Sequence, residues 1–102
     1  MSTIKQKVKF MEWLCDVEIE HYHDGRKAIS LTHPLDGPVA TATVNLPGAD
    51  IPSDPNFTLI KTWSENKGIL EALLEAGIVE DTGLSISVNP FGSVARLVKV
   101  IV

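Results

Sequence analysis

Trp63-Ser64-Glu65-Asn66 sets an indole, a hydroxyl, a carboxylate and a carboxamide in four consecutive positions. At a helix start such a cluster can hold an anion on free backbone N–H groups or present a catalytic hydroxyl. Ser64 and Lys67 also have the S-x-x-K spacing of an activated serine. The companion S-D-N and K-T-G elements are absent, and 102 residues are too few for the fold that carries them. The bland alternative is capping: Thr62 and Glu65 have capping-box spacing, and Ser64 is itself a good N-cap residue. Trp63 is the residue that a cap does not require.

His21-Tyr22-His23 is an H-x-H pair, which on a straight strand turns two imidazoles to one face, with Asp24 or His33 as a third metal ligand. If the turn begins at His23 that geometry is lost, and no metal or other cofactor is expected. Asp16, Glu18 and Glu20 alternate along one strand, about 6.5–7 Å apart. This spacing imitates a phosphate backbone and would suit a basic partner; an ordinary solvated face looks the same. Cys15, flanked by Leu14 and Asp16, reads as a buried thiol, with no histidine close in sequence. Asn56-Phe57-Thr58 fits a glycosylation acceptor, but no secretory signal precedes it.

The elements that must position these residues follow from periodicity. "CDVEIEHY" alternates, with Cys15, Val17, Ile19 and His21 on one face. "KAISLTH" follows with Ile29 and Leu31 on one face. A two-residue Asp24-Gly25 turn would pair Glu20 with Ile29 and mix acids with apolar side chains. A three-residue loop, His23-Asp24-Gly25, pairs Ile19 with Ile29 and Val17 with Leu31, with Gly25 left-handed. "HPLDGP" is the next turn and "VATATVNL" a third strand. "PGADIPSDPN" is a loop, because three prolines in ten residues cannot build an interior ladder. "FTLIK" is a short strand. Residues 61–78 then read as one helix, with Ile69, Leu70, Leu73 and Leu74 as its stripe and Gly77 as its stop. "LSISV" and "SVARLVKVIV" close the chain, the latter apolar on both faces like a central strand. The expectation is one α+β domain over residues 1–102: a mainly antiparallel sheet of five to six strands with one helix on one face.

Composition narrows the function classes. Net charge is −4, and from Phe10 to Gly25 five acids stand without a base. Direct nucleic-acid binding, which rests on cations neutralising phosphates, is disfavoured. No apolar run nears the roughly 20 residues of a membrane span. The lone cysteine forms no internal disulfide, and a cytoplasmic location is the simplest expectation.

"ATATVNLPGADI" followed by "IKTWSENKGILEALLEAGIV" resembles a family of small uncharacterised bacterial proteins encoded on plasmids, phages and conjugative elements. Its pattern runs A-T-x-N-L-P, I-K-x-[YW]-S-E-N-x-G, then L-E-A-L-x-x-A-G-I. Trp63, Ser64, Glu65, Asn66 and Gly68 all match. The likeness covers about residues 27 to 80 and carries over no catalytic residue. It implies a mobile-element accessory protein, a setting in which inhibitors of host defence, including anti-CRISPR proteins, are common. The reading is therefore a non-enzymatic binding protein, an inhibitor of a nucleic-acid-handling host complex that meets a basic protein partner. Asp16, Glu18 and Glu20 would steer; Tyr22 and Trp63, with Ser64, Glu65 and Asn66 beside the latter, would anchor. The alternatives are a small enzyme or ligand-binding domain at the Ser64-Glu65-Asn66 corner, and a homodimer pairing through an exposed strand.

Overall fold

The computed structural model describes residues 2–46 and 51–102, with the side chains of Ser2, Thr3, Lys5 and Glu65 outside the described set. Strands β1 (Ser2–Phe10), β2 (Trp13–His21), β3 (Lys27–His33) and β4 (Gly37–Thr41) form an antiparallel meander in that order. Strands β5 (Thr43–Val44), β6 (Phe57–Lys61), β7 (Val79–Ser87) and β8 (Val94–Val100) form a second antiparallel sheet in the order β5-β6-β8-β7. A 3-10 turn (Ser64–Asn66) and helix α1 (Ile69–Glu75) join β6 to β7. The α+β class holds. The single sheet of five to six strands is corrected to two sheets of four among the described residues.

Two local features explain that correction. The first is β1, hidden in sequence by its lysines. Ile4, Val8 and Phe10 alternate with polar residues; Val8 and Phe10 are buried and Ile4 packs on the core. The second is a change of sheet within "VATATV". Ala42 donates its N–H to the Ile29 carbonyl in the first sheet at 2.8 Å and accepts from the Lys61 N–H in the second, also at 2.8 Å. One fully buried alanine thus hands the chain between sheets. Its neighbour Thr43 lends a hydroxyl in place of a strand carbonyl, accepting from the Ile29 N–H at 3.1 Å.

The β2–β3 hairpin has the expected register: Ile19 pairs with Ile29 and Val17 with Leu31. Gly25 at φ 88° closes the three-residue loop, its N–H bonded to the Tyr22 carbonyl at 2.9 Å. Strand β8 is central, as its two apolar faces require. The main core lies between the sheets: Val17, Ile29 and Leu31 from the first meet Ile60, Val98 and Val100 from the second, with Ile69 and Leu73 of α1 beside them. A second cluster, Leu59, Ala95 and Leu97, sits on the other face of the second sheet. It follows that this sheet is apolar on both sides. Of the proline-rich loop covering part of that face, residues 47–50 lie outside the described set.

The 61–78 segment is not one helix. Thr62 donates its hydroxyl to the Val94 carbonyl at 2.8 Å rather than capping. No side chain caps the 3-10 turn or α1. Lys67 (φ −56°, ψ 126°) and Gly68 (φ 90°, ψ −7°) have the dihedrals of a type II turn, which breaks the segment before a seven-residue helix starts. The helix end is as expected. Gly77 is left-handed at φ 73°. Ile78 donates to the Leu73 carbonyl and Gly77 to the Leu74 carbonyl, both at 3.1 Å, as a Schellman motif requires.

Candidate functional site

Asp16, Glu18 and Glu20 do share the outward face of the first sheet, opposite to Cys15, Val17 and Ile19, which are buried. They are not a bare acidic row. The β1–β2 pairing sets Lys7 across from Asp16, and the two form an ion pair. Lys9 stands opposite Leu14. The stretch without a base in sequence is thus neutralised at one position by a strand that folds back on it. Glu20 is exposed and Glu18 half-buried.

Tyr22, expected as an anchor, is half-buried, and its hydroxyl shares a hydrogen bond with Thr43 Oγ1 at 2.9 Å. Its polar end ties the hairpin to the sheet-changing corner. Trp63 is half-buried on the second cluster, with the Lys61 ammonium 5.8 Å from its ring centroid. Asn66 is the largest correction. It is buried, donates Nδ2–H to the Thr41 carbonyl at 2.7 Å, and leaves Oδ1 without a partner. Its job is to cap the last carbonyl before Ala42 changes sheet, so it has no surface to offer. Ser64 is exposed and left-handed at φ 60°. The Glu65 side chain lies outside the described residues. The expected partner-binding residues do not converge: the acids face outward from one sheet and Trp63 from the other, with the main core between.

Among the described residues no group of three His, Cys, Asp or Glu stands together as metal ligands would. His21 and His23 are exposed at one end of β2. His33 is six residues along β3 from Lys27, the partner of His21, which puts it roughly 20 Å away. Cys15 is buried, and burial pushes its thiol up, away from the reactive thiolate. A shallow groove of about 210 Å³ runs between Lys7, Lys9 and Leu14 and the α1 residues Ala72, Glu75 and Ala76. It is smaller than the roughly 300–1,000 Å³ of small-molecule pockets.

Four exposed apolar side chains share one end of the first sheet. In the first sheet the β1–β2 and β3–β4 turns lie at the same end, because successive strands of a meander reverse direction. That end carries Met11 (61% exposed), Trp13 (37%), Leu14 (60%) and Leu35 (90%). The Trp13 and His33 rings meet edge to face with centroids 5.1 Å apart, joining the two hairpins. Met11 has φ 56° in a two-residue turn whose flanking pair is Phe10 and Trp13. A methionine at positive φ is held there by the two-residue turn, and its side chain is mostly exposed. Exposed carboxylates, Glu12 and Asp36, flank the apolar tip. The sequence held one usable signal: Leu35 lies between proline and Asp-Gly within a turn, where no core can receive it.

At the opposite end, Asp24 accepts from the Arg26 N–H at 3.1 Å and from Asn45 Nδ2 at 3.2 Å. The Arg26 amide, then Asn45, hold its carboxyl below the usual range. Arg26 also donates to the Phe57 carbonyl at 2.9 Å, pinning the hairpin to β6. These contacts are structural.

The chain matches no protein-family model, no curated protein and no solved structure. No helix of the described residues is long and apolar enough to cross a membrane.

Proposed function

We propose that this chain is a non-enzymatic binding protein that docks on a protein partner through the hairpin end of its first sheet. The observation that carries this reading is the set of exposed apolar side chains Met11, Trp13, Leu14 and Leu35 gathered there. Buried aromatic and aliphatic anchors dominate protein interfaces. The flanking Glu12 and Asp36 suit an apolar hollow ringed by basic residues. The sharpest version remains an inhibitor of a host nucleic-acid-handling defence complex, anti-CRISPR-like, whose working grooves are basic. It is supported by this acidic, apolar-tipped surface and by the resemblance to mobile-element proteins.

The geometry lends less to the alternatives. An enzyme or ligand site at Ser64-Glu65-Asn66 would need Asn66 free, and its amide is committed to Thr41. A homodimer through β7, the outermost strand of the second sheet, would meet the bulge between Asp81 and Ser85. Such bulges guard edges against pairing. The test is affinity purification from a host or defence-bearing strain, run in parallel with wild type and Leu35→Asp. A partner captured by the first and lost with the second, at equal fold by circular dichroism, supports the reading. A partner held equally by both refutes the surface.

A further inference from the structure

His33 opens the turn that carries Leu35, and its ring is placed to do two incompatible things. Its Nδ1 accepts hydrogen bonds from the backbone N–H groups of Leu35 and Asp36, both at 3.2 Å. The same Nδ1 stands 3.2 Å from Asp36 Oδ2. Accepting two amides requires an unprotonated Nδ1, with the ring hydrogen on Nε2. Pairing with the carboxylate requires a proton on Nδ1. One nitrogen cannot serve both.

From this geometry we infer that His33 is a protonation-controlled clamp on the apolar tip, fixing the Leu35 turn when neutral and releasing it to an Asp36 ion pair when charged. The inference rests on the tip being the docking surface for its functional meaning, but the clamp itself is a property of the free protein. Neutral His33 holds the Leu35 and Asp36 amides and so sets where Leu35 projects. Protonation turns Nδ1 from acceptor to donor, frees both amides and draws the ring to the carboxylate. Leu35 then loses the hydrogen bond that fixes its turn, and the His33 ring shifts against Trp13, which it meets edge to face. The surroundings leave Asp36 as the controlling charge. Strand β2 brings the uncharged Trp13 ring and the buried Cys15 thiol, which donates to the Trp13 carbonyl at 3.7 Å. Asp16 is on the other face and paired with Lys7. Strand β4 contains no ionisable residue, and Glu12 in the β1–β2 turn is exposed.

The experiment is a two-dimensional amide and imidazole NMR titration of the free protein from about pH 8 to about pH 5, where imidazoles change charge. The Leu35 and Asp36 amide protons should move upfield with the same midpoint as the His33 ring, and should lose about tenfold in exchange protection, the scale of roughly one exposed hydrogen bond. His33→Phe, which removes the acceptor, should leave both amides unprotected and insensitive to pH over this range. In a Trp63→Phe background, Trp13 fluorescence should change over the same range. Fixed Leu35 and Asp36 amides while the His33 ring changes charge would overturn the clamp, as would amides that still move with pH in His33→Phe. Because no partner is present, these outcomes are independent of Leu35→Asp in the capture test: a working clamp with no loss of capture would refute the docking surface alone.

Discussion

The two tryptophans mark two corners that share an unusual backbone and differ in what surrounds it. Among the described residues, only Met11 and Ser64 are non-glycine residues at positive φ, and each lies within two positions of a tryptophan. At the Trp63 corner the strain is surrounded by work: Asn66 caps Thr41, Thr62 holds Val94, and Trp63 covers the second cluster. At the Trp13 corner the strained residue and its neighbours Leu14 and Leu35 face solvent. The first corner therefore explains itself through the fold. The second closes the β1–β2 hairpin, whose two-residue turn takes a positive φ at Met11, and leaves its apolar side chains exposed. Ser64 and Asn66, with their hydroxyl and carboxamide, stand at the corner that joins the sheets, whereas the exposed apolar side chains stand at the other.

Substitutions separate the corners, and the largest effect belongs to the helix that the Trp63 corner launches. Leu73→Ala should cost roughly 2–5 kcal/mol in chemical denaturation, because the Leu73 side chain is fully buried in the main core. Asn66→Ala should cost about 1–3 kcal/mol, since it empties a buried site and leaves the Thr41 carbonyl without its side-chain donor; an unchanged midpoint would remove the capping role. Glycine at either strained position should stabilise by roughly 0.5–1 kcal/mol, the left-handed penalty of about 1–2 kcal/mol less glycine's extra unfolded-state freedom. Ser64→Gly should leave partner binding intact while Met11→Gly weakens it. Equal binding by the two would erase the contrast between corners.

The smallest effects come from exposed carboxylates. The Arg96 guanidinium, bonded through Nε at 2.7 Å and Nη2 at 2.8 Å, holds Asp81 below the usual carboxylate range. A depressed folded-state pKa stabilises above the unfolded value and is lost as pH falls through the folded one. Asp81 and Asp24 should therefore add stability above about pH 4. Denaturation midpoints of Asp81→Asn and Asp24→Asn should converge on wild type only in stronger acid. A constant difference from pH 6 down to pH 2 would contradict the sign.

Legibility in the sequence followed the range of the interactions involved. The β2–β3 register was readable because alternation and Gly25 settle it within about fifteen residues. So was the helix end, where Gly77, Ile78 and Leu73 are close in sequence. Strand β1 was not, because lysines at positions 5, 7 and 9 masked the alternation of Val8 and Phe10. The change of sheet at Ala42 leaves no local mark: "VATATV" is equally strand-like on both sides. Asn66 reads as a cap or a site until Thr41, 25 residues away, takes its amide. For the acidic row, sequence showed the face but not Lys7 folding onto it. The apolar tip was hardest, since exposure is the absence of neighbours.

The central claim is that the Trp13 corner, not the Trp63 corner, meets the partner. The direct measurement is the dissociation rate of the captured partner from Trp13→Ala and Trp63→Ala, each checked for fold. Loss of an interface anchor acts mainly on the off-rate. Trp13→Ala should dissociate at least tenfold faster than wild type, as a hot-spot residue worth about 1.4 kcal/mol or more would require, and Trp63→Ala at the wild-type rate. Fast release from Trp63→Ala with wild-type release from Trp13→Ala would contradict the account.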